Sequence, residues 1–312
     1  MRQPRGSALL ALSAAAILAG VLTGCSAGAP AGDAASGDAA SSSTGFAADE
    51  NTLVFGVVPD SVDTETNYQP LMDYLAQETG KEVEYHESTD YAALIEASIA
   101  GKIDVASFSG FTYVTAKNQG AEITPISSIT TSEGAEPGYF SQAIVPKGSD
   151  IKTVADMKGK KVCFVDPSST SGYLFPSYNL LKNDIDPETG VTPVFAGKHD
   201  VSVQKVGEGV ECEAGFAEDS EVLKSDKVEV IDETMVPGAP IVVSDALPKE
   251  LVSQITDLLS EVTADQMVEA GVESAASESF RAVFYETTPV DDAYYDTVRD
   301  ICETTNASQC QG

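Results

Sequence analysis

The segment Asp166–Pro176 reads DPSSTSGYLFP and joins an apolar strand, KKVCFVD (Lys160 to Asp166), to a predicted helix. Ser168 to Ser171 place four hydroxyls in a row at the start of that helix, where backbone N–H groups lack intrahelical partners and the helix dipole is positive. Gly172 allows a tight turn. An ordinary N-cap would explain one of these hydroxyls but not four. The pattern therefore favours a helix start that binds a phosphate-like anion.

Strands and helices alternate on both sides of this segment. Upstream, the apolar runs LVFGVV (Leu53 to Val58), VEYHES (Val83 to Ser88) and IDVASF (Ile103 to Phe108) each precede a helical pattern. Downstream, PVFAG and CEAGFA flank a helix over VSVQKV. This alternation favours parallel sheets with helices on both faces. The runs QAIVPKGS (Gln142 to Ser149) and IVVSDAL (Ile241 to Leu247) are typical of crossing strands, so two α/β lobes are predicted.

The first residues have the composition of an export signal. Arg2 and Arg5 precede an uncharged apolar run that ends at Cys25, so residues 1–24 are predicted to be a signal peptide. A retained membrane span is the alternative. The tetrapeptide LTGC (Leu22 to Cys25) resembles the bacterial lipobox, whose cysteine is lipidated and becomes the new N-terminus. The resemblance implies a lipid anchor at Cys25, and the small, polar residues that follow, up to residue 51, are expected to form a flexible tether.

The chain is strongly acidic, with 18 basic and 49 acidic residues and a formal charge of −31. Loss of Arg2 and Arg5 with the signal peptide leaves 16 basic residues and a charge of −33. This charge disfavours nucleic acid and anionic lipid as partners. The simplest interpretation of the acidic residues is a solvated surface. An anionic ligand would have to be captured by local dipoles, since the overall field repels it.

Four cysteines follow Cys25, and an even number in an exported chain favours disulfides with three possible connectivities. Cys163 and Cys212 fall on predicted strands of one lobe, and Cys302 and Cys310 would close a short loop. These positions predict the pairs Cys163–Cys212 and Cys302–Cys310. No CxxC spacing is present, so no metal site is predicted. No cofactor is predicted.

Five segments, in order, resemble the phosphate/phosphite/phosphonate solute-binding proteins of ABC transporters, the PhnD type. The resemblance covers residues 53–289, and its segments are TDYAALIEASIAGKIDVASFSG, PGYFSQAIV, DPSSTSGYLFP, GKHDVSVQKV and VPGAPIV. It implies an α/β, two-lobed periplasmic-binding-protein-like fold of type II with a ligand cleft between the lobes. Residues 52–138 and 245–312 are expected to form lobe 1, and residues 139–244 lobe 2. The Pro-Gly pairs at 137–138 and 237–238 are expected to act as the hinge.

The resemblance also implies which residues bind the ligand. Ser169, Thr170 and Ser171 match the residues that hold the oxyanion in family members. Tyr91 matches a tyrosine that donates its hydroxyl to the ligand, although a tyrosine at a helix start also packs on a sheet. His199 matches a histidine that hydrogen-bonds a ligand oxygen, and without the resemblance it would be taken for a loop residue.

Two positions near the expected site differ from the family pattern or lack a strict match. Ser109 lies at a helix start that is expected to face the cleft, whereas Phe108 stands where some relatives have a second tyrosine. Ala239 replaces an acidic residue found in members that take aminoalkyl phosphonates, which favours phosphite, phosphate or a short alkylphosphonate. Glu218 or Asp219 lies near another acidic position of the family and leaves an amine-bearing ligand open.

The sequence thus predicts an extracytoplasmic, lipid-anchored monomer that binds a small phosphorus oxyanion and delivers it to an ABC transporter permease. A lipoprotein that senses the ligand for a membrane kinase is one alternative. An exported serine hydrolase is another, but residues 52–312 contain no GxSxG motif, and His199 is the one histidine expected near the cleft.

Overall fold

The computed structural model describes residues 45–310. Its strands are β1 Thr52–Val57, β2 Glu82–His86, β3 Val105–Ser107, β4 Ile123–Thr130, β5 Gly138–Pro146, β6 Lys161–Phe164, β7 Thr192–Phe195, β8 Ala214–Glu218, β9 Val228–Pro237, β10 Pro240–Ser244 and β11 Glu286–Thr288. Its α-helices are α1 Thr64–Thr79, α2 Tyr91–Ile99, α3 Gly110–Asn118, α4 Phe175–Lys182, α5 His199–Glu208, α6 Asp219–Val222, α7 Lys249–Leu259, α8 Ala264–Glu269, α9 Glu278–Val283 and α10 Asp296–Thr305. In this part of the chain, no helix has the length and apolar character needed to cross a membrane.

The strands form two sheets, which are the centres of two lobes. The first lobe is built on a six-stranded sheet of order β11-β4-β10-β3-β1-β2, and the second on a five-stranded sheet of order β7-β6-β8-β5-β9. Each sheet has a parallel core, β2-β1-β3 in the first and β7-β6-β8 in the second. The strands added beside these cores run antiparallel. The predicted two-lobed α/β fold is confirmed, but the sheets are mixed and not wholly parallel.

The boundary between the lobes differs from the predicted one at its second crossing. Pro240–Ser244 pairs with β3 and β4 of the first sheet, so the chain returns to the first lobe at Gly238 and Ala239 and not at residue 245. All five residues of β10 are buried, and a short buried run has the same pattern in either sheet. The sequence also did not indicate β4, β9 and β11. The last two are edge strands with charged residues and no continuous apolar run.

Two tyrosines from a helical turn before α10 hold the crossings between the lobes. Gly138 and Pro237 are paired where β5 begins and β9 ends. Tyr294 donates its hydroxyl hydrogen bond to the Pro137 carbonyl, and Tyr295 donates to the Gly238 carbonyl (3.1 Å). A Cβ at Gly238 would lie 2.2 Å from Ser128 Oγ, so this close crossing requires glycine. The predicted Pro-Gly pairs therefore stand at the crossing point.

The segment predicted as a tether is partly packed on the first lobe. Phe46 contacts the apolar core beneath β1 and lies under the Lys81 ammonium group, 5.1 Å from the ring centroid. The Ala47 N–H donates to Asp104 Oδ1 (2.9 Å). The packed chain therefore begins by residue 45, because the segment's one aromatic residue can bury its ring. Cys25 and the predicted signal peptide lie outside the described residues.

Both predicted cysteine pairs, one expected from strand positions and the other from a short loop, are joined in the structure. Cys163 of β6 pairs with Cys212, just before β8, and Cys302 of α10 pairs with Cys310. The Cα atoms are 5.6 Å apart in each pair. The first disulfide links two neighbouring segments of the second lobe, and the second closes the C-terminal turn onto α10.

Candidate ligand-binding site

A cavity of about 420 Å³ lies between the lobes. Its polar wall includes Asp60, Ser61, Tyr68, Tyr91 and Ser109 from the first lobe and Tyr139, His199 and Glu218 from the second. Three of the six residues expected to bind ligand, Tyr91, Ser109 and His199, therefore lie at this cavity. Ser169, Thr170 and Ser171 are buried and do not form part of its wall.

The serine-rich segment begins a helix where the sequence places it. Ser169 is the N-cap residue, and its Oγ accepts a hydrogen bond from the Gly172 N–H (3.1 Å). The chain makes one π-helical turn, Thr170–Leu174, and continues directly into α4. A Cβ at Gly172 would lie 2.4 Å from the Val165 side chain, so glycine allows this helix start to pack on the end of β6.

The hydroxyls at this helix start have unused hydrogen-bonding capacity. Thr170 Oγ1 accepts a hydrogen bond from the Phe111 N–H of the first lobe (2.7 Å). Ser171 Oγ is fully buried and forms no hydrogen bond of good geometry among residues 45–310, although it lies close enough to the Tyr139 hydroxyl to oppose part of the rise in that group's pKa. Within the described chain, no hydrogen bond of normal geometry is donated by Ser169, Thr170 or Ser171. Their three O–H groups remain available to an acceptor.

The first-lobe helix α3 starts opposite, and its hydroxyls are paired with one another. Ser109, the N-cap residue, has its Oγ 2.7 Å from Thr112 Oγ1. Thr112 Oγ1 in turn donates to the Ser168 carbonyl of the second lobe (3.0 Å). Because the single hydroxyl proton of Thr112 is used on Ser168, Ser109 must donate to Thr112. Ser109 therefore lines the cavity as a helix cap whose proton is already engaged.

Tyr91 combines a packed ring with a hydroxyl at the cavity. It is the first residue of α2, after Asp90, whose side chain caps the helix by accepting from the Ala93 N–H (2.8 Å). The ring belongs to the apolar core, as the alternative interpretation expects. Burial, followed by the charges of Asp60 and Glu218, raises the pKa of the Tyr91 hydroxyl well above its usual value. The hydroxyl therefore stays protonated and able to donate.

His199 is held in one tautomer by its surroundings. It is the first residue of α5, and its backbone N–H donates to the Asp60 backbone carbonyl (2.8 Å). Its ring Nδ1 accepts from the backbone N–H of Glu218 (2.9 Å). Burial lowers the pKa of the imidazole to about 4, so the ring is neutral near pH 7. A neutral ring that accepts at Nδ1 carries its proton on Nε2. This Nε2–H is a donor 3.9 Å from Glu218 Oε2, where both residues line the cavity.

Sequence reasoning missed Asp60 and Tyr139 as cavity residues and left Glu218 open. Burial, and then the Glu218 charge, raises the pKa of Asp60 to about 7. Burial raises the pKa of Glu218 to about 7 as well. Asp60 could have been found from its place after β1, because ligands of open α/β sheets bind beyond the carboxyl ends of parallel strands. Tyr139 lies in the quoted segment PGYFSQAIV but had no signal of its own.

Comparisons with known proteins agree with this architecture. Residues 55–292 match the family described as ABC transporter, phosphonate, periplasmic substrate-binding protein. The phosphate-import protein PhnD of Mycolicibacterium smegmatis is 34% identical over 292 residues, which cover 84% of this chain and 88% of the relative. The phosphonates-binding periplasmic protein of Escherichia coli is 25% identical, over 75% of this chain and 72% of that protein.

A solved structure from Pseudomonas aeruginosa has the same fold. It is a binding protein component of an ABC phosphonate transporter, with a TM-score of 0.71 at 22% identity, and the match covers 83% of this chain and 87% of that one. The relatives are binding proteins and not enzymes, so the exported-hydrolase alternative is wrong. From the family match and its extent, this chain belongs to the periplasmic substrate-binding proteins of phosphonate ABC transporters.

Proposed function

We propose that the cleft captures a compact phosphorus oxyanion, namely phosphate, phosphite or a short alkylphosphonate, for delivery to the permease of an ABC importer. The observation that carries the proposal is the Ser169–Ser171 helix start, whose buried hydroxyls have protons to donate. The ionised oxygens of such a ligand are acceptors, and they match this set of donors. The names of the relatives, which refer to phosphate import, phosphonates and phosphite, support the same class of ligand.

The ligand would bridge the lobes by using contacts that now join them directly. In the proposed complex, one oxyanion oxygen replaces Thr170 Oγ1 as the acceptor of the Phe111 N–H. The Thr170 hydroxyl then donates to the same ligand, and Tyr91 and His199 donate from the cavity wall. Because these donors come from both lobes, binding would favour the closed form, in which all of them reach the ligand.

Local dipoles would have to overcome the negative charge of the chain, which is −33 after the predicted cleavage. The starts of α3 and of the helix at Ser169 bring N–H groups from both lobes to one place. Each hydrogen bond to an ionised oxygen contributes about 1.5–3 kcal/mol. The proposed capture therefore depends on short-range donors and not on long-range attraction.

The relatives and the cavity wall favour a compact ligand without fixing one species. Ala239 lines the cavity, so that position offers no carboxylate to an ammonium group. A structural neighbour from Prochlorococcus marinus, of the same fold, was solved in complex with methylphosphonate. We therefore include short alkylphosphonates beside phosphate and phosphite.

The proposal also includes the cellular setting predicted from the sequence. The mature protein would be a monomer held at the outer face of the membrane by lipid on Cys25. Detergent partitioning of cells that express the wild-type protein should place it in the membrane fraction, and Cys25→Ser should release or misprocess it. A Cys25→Ser protein that stays equally bound to the membrane would instead indicate a retained span.

Isothermal titration with phosphate, phosphite, methylphosphonate, 2-aminoethylphosphonate and sulfate tests the ligand class. Ser171→Ala should weaken binding of the best phosphorus ligand roughly 10- to 100-fold, because one ligand oxygen loses a charge-assisted hydrogen bond. Ser177→Ala is the matched control, since Ser177 Oγ is also buried without a partner of good geometry in the described chain but lies farther along α4. Equal affinity of the two variants, or no binding of any phosphorus oxyanion by the wild type, would contradict the proposal.

A further inference from the structure

Asp60 lies three residues beyond the end of β1, at a position between the lobes that its place after this strand does not explain. Thr64 Oγ1 donates to Asp60 Oδ1 (2.6 Å), and the Asp60 backbone carbonyl accepts from the His199 N–H of the second lobe (2.8 Å). No hydrogen bond from the described residues reaches Asp60 Oδ2. Since Asp60 lines the cavity, this carboxyl has capacity for a further partner there.

The groups around Asp60 leave its charge uncompensated. The titratable groups that interact electrostatically with Asp60 are Glu218 of β8, Glu221 of α6, His199 of α5, Tyr68 of α1, Tyr85 of β2, Tyr91 of α2 and Tyr139 of β5. The nearby lysines are engaged elsewhere: Lys198 donates to the Ser61 carbonyl, and Lys224 pairs with Glu221. Among residues 45–310, no lysine or arginine forms an ion pair with Asp60.

This arrangement conflicts with the binding of a fully ionised anion. A carboxylate at Asp60 and a ligand whose oxygens are all ionised would repel each other in a cleft with little water. The conflict disappears if a proton lies between them. A ligand oxygen that carries a proton can donate to Asp60, while its ionised oxygens accept from the hydroxyls and N–H groups described above.

We propose that ionised Asp60 is a specificity-determining residue that accepts a hydrogen bond from a protonated ligand oxygen, so that in this state the cleft selects oxyanions with a P–OH group and rejects sulfate. The inference rests on the proposed function and names the form of ligand that the site takes. Sulfate is similar in shape but carries no proton near neutral pH, so it has nothing to donate. Glu218, beside Asp60 and His199, increases the repulsion of an unprotonated ligand.

The direction of the pH dependence follows from the proton. Burial and the Glu218 charge raise the pKa of Asp60 to about 7, so the carboxyl loses its proton as the pH rises through neutrality. Above that pH, and above the second ionisation of the ligand, binding must take up one proton. Affinity should then fall up to about tenfold for each further pH unit.

Titration of methylphosphonate and of sulfate from pH 6 to pH 9 tests the proposal. In the wild type, we expect methylphosphonate affinity to fall steeply above pH 7, and sulfate binding to be undetectable at pH 8 and above, where Asp60 is ionised. In Asp60→Asn, the amide can donate to an ionised oxygen, so the pH slope should flatten and sulfate should bind. Asp63→Asn is the matched control. Asp63 is an exposed acid in the same loop, and its side chain makes no capping hydrogen bond. This variant should behave like the wild type.

The possible outcomes separate the two proposals. If Asp60→Asn binds methylphosphonate with the wild-type pH slope and still excludes sulfate, the role of Asp60 is wrong while the proposed function stands. Tighter binding of 2-aminoethylphosphonate than of methylphosphonate, lost in Asp60→Asn, would overturn it too and make Asp60 a partner of an ammonium group. A wild type that binds no phosphorus oxyanion at any pH overturns both. Thermal melting checks folding, and Asp60→Ser replaces Asp60→Asn if that variant does not fold.

Discussion

Two helix starts meet between the lobes, and both begin with a serine cap after a strand. At Ser109 the hydroxyls form a closed chain, from Ser109 to Thr112 to the Ser168 carbonyl. At Ser169 the hydroxyls accept N–H groups or remain unpaired, and their own protons have no well-placed acceptor in the described chain. The same residue types therefore have different roles at the two helix starts. A helix cap that uses its protons within the protein stabilises a fold, whereas one that keeps them can bind a ligand.

The largest difference between the two starts should come from adding a methyl group. A Cβ at Gly172 would lie 2.4 Å from Val165, but one at Gly110 would be 3.3 Å from the Tyr295 ring. Gly172→Ala should lower the free energy of unfolding by about 1–3 kcal/mol and weaken phosphorus oxyanion binding more than about 100-fold. Gly110→Ala should cost less than about 1 kcal/mol. Denaturant unfolding and calorimetry measure both, and equal losses would mean that the starts are equivalent.

Threonine substitutions at the two helix starts should differ mainly in their effect on affinity. Thr170→Ala removes a donor to the ligand and also the acceptor of the Phe111 N–H, so it should weaken binding roughly 10- to 100-fold and lower stability by about 1 kcal/mol. Thr112→Ala removes the link to the Ser168 carbonyl, so it should lower stability by about 1 kcal/mol and affect affinity less. Thermal melts beside titrations give both quantities. A Thr112→Ala variant with the larger loss of affinity would reverse the roles assigned to the two starts.

The α5 start provides a third case, in which a histidine replaces the serine. Because burial lowers the pKa of His199 from 6.5 to about 4, the unfolded chain binds a proton at this residue before the folded chain does. Stability from His199 should therefore be lost as the pH falls from about 6.5 towards 4. Melting temperatures from pH 4.5 to 7.5 should fall less steeply with acid in His199→Gln than in the wild type. Parallel curves would show that His199 is not held neutral.

Salt should have the smallest effect of the changes considered. If the Ser169 start binds through short hydrogen bonds in a buried cleft, raising sodium chloride from 50 to 500 mM should change affinity less than about threefold. The measurement is the dissociation constant of the best phosphorus ligand at constant pH. A tenfold or greater change would instead indicate that the long-range field of the chain contributes substantially.

The sequence could predict those features that depend on neighbouring residues or on short-range geometry. DPSSTSGYLFP indicates its own helix start because a cap, a glycine and a preceding strand suffice to define it. The two cysteine pairs follow from neighbouring strands and a short loop. The assignment of β10 could not be predicted, since its five buried residues fit either sheet.

The acidic side of the cavity could not be predicted from the sequence, for a different reason. Asp60 and Glu218 lie far apart in sequence and come together only in the folded structure, near His199. Neither residue lies in a distinctive sequence motif. What matters is that a carboxyl without a lysine or arginine partner lies near a second carboxyl, and this arrangement arises only in the folded structure. The same holds for the Thr170 contact with the Phe111 N–H, which joins two lobes.

The tyrosines at the crossings make the lobe connections depend on the C-terminal part of the chain. Tyr294 and Tyr295 reach the Pro137 and Gly238 carbonyls from a segment that follows both sheets in the chain. All eleven strands, up to β11, precede these tyrosines in the sequence, so the two contacts depend on residues that follow both sheets. The crossings are therefore held in their final geometry only after the C-terminal helices have docked. A chain truncated after β11 would therefore retain the strands of both sheets but lack both tyrosine hydrogen bonds at the crossings.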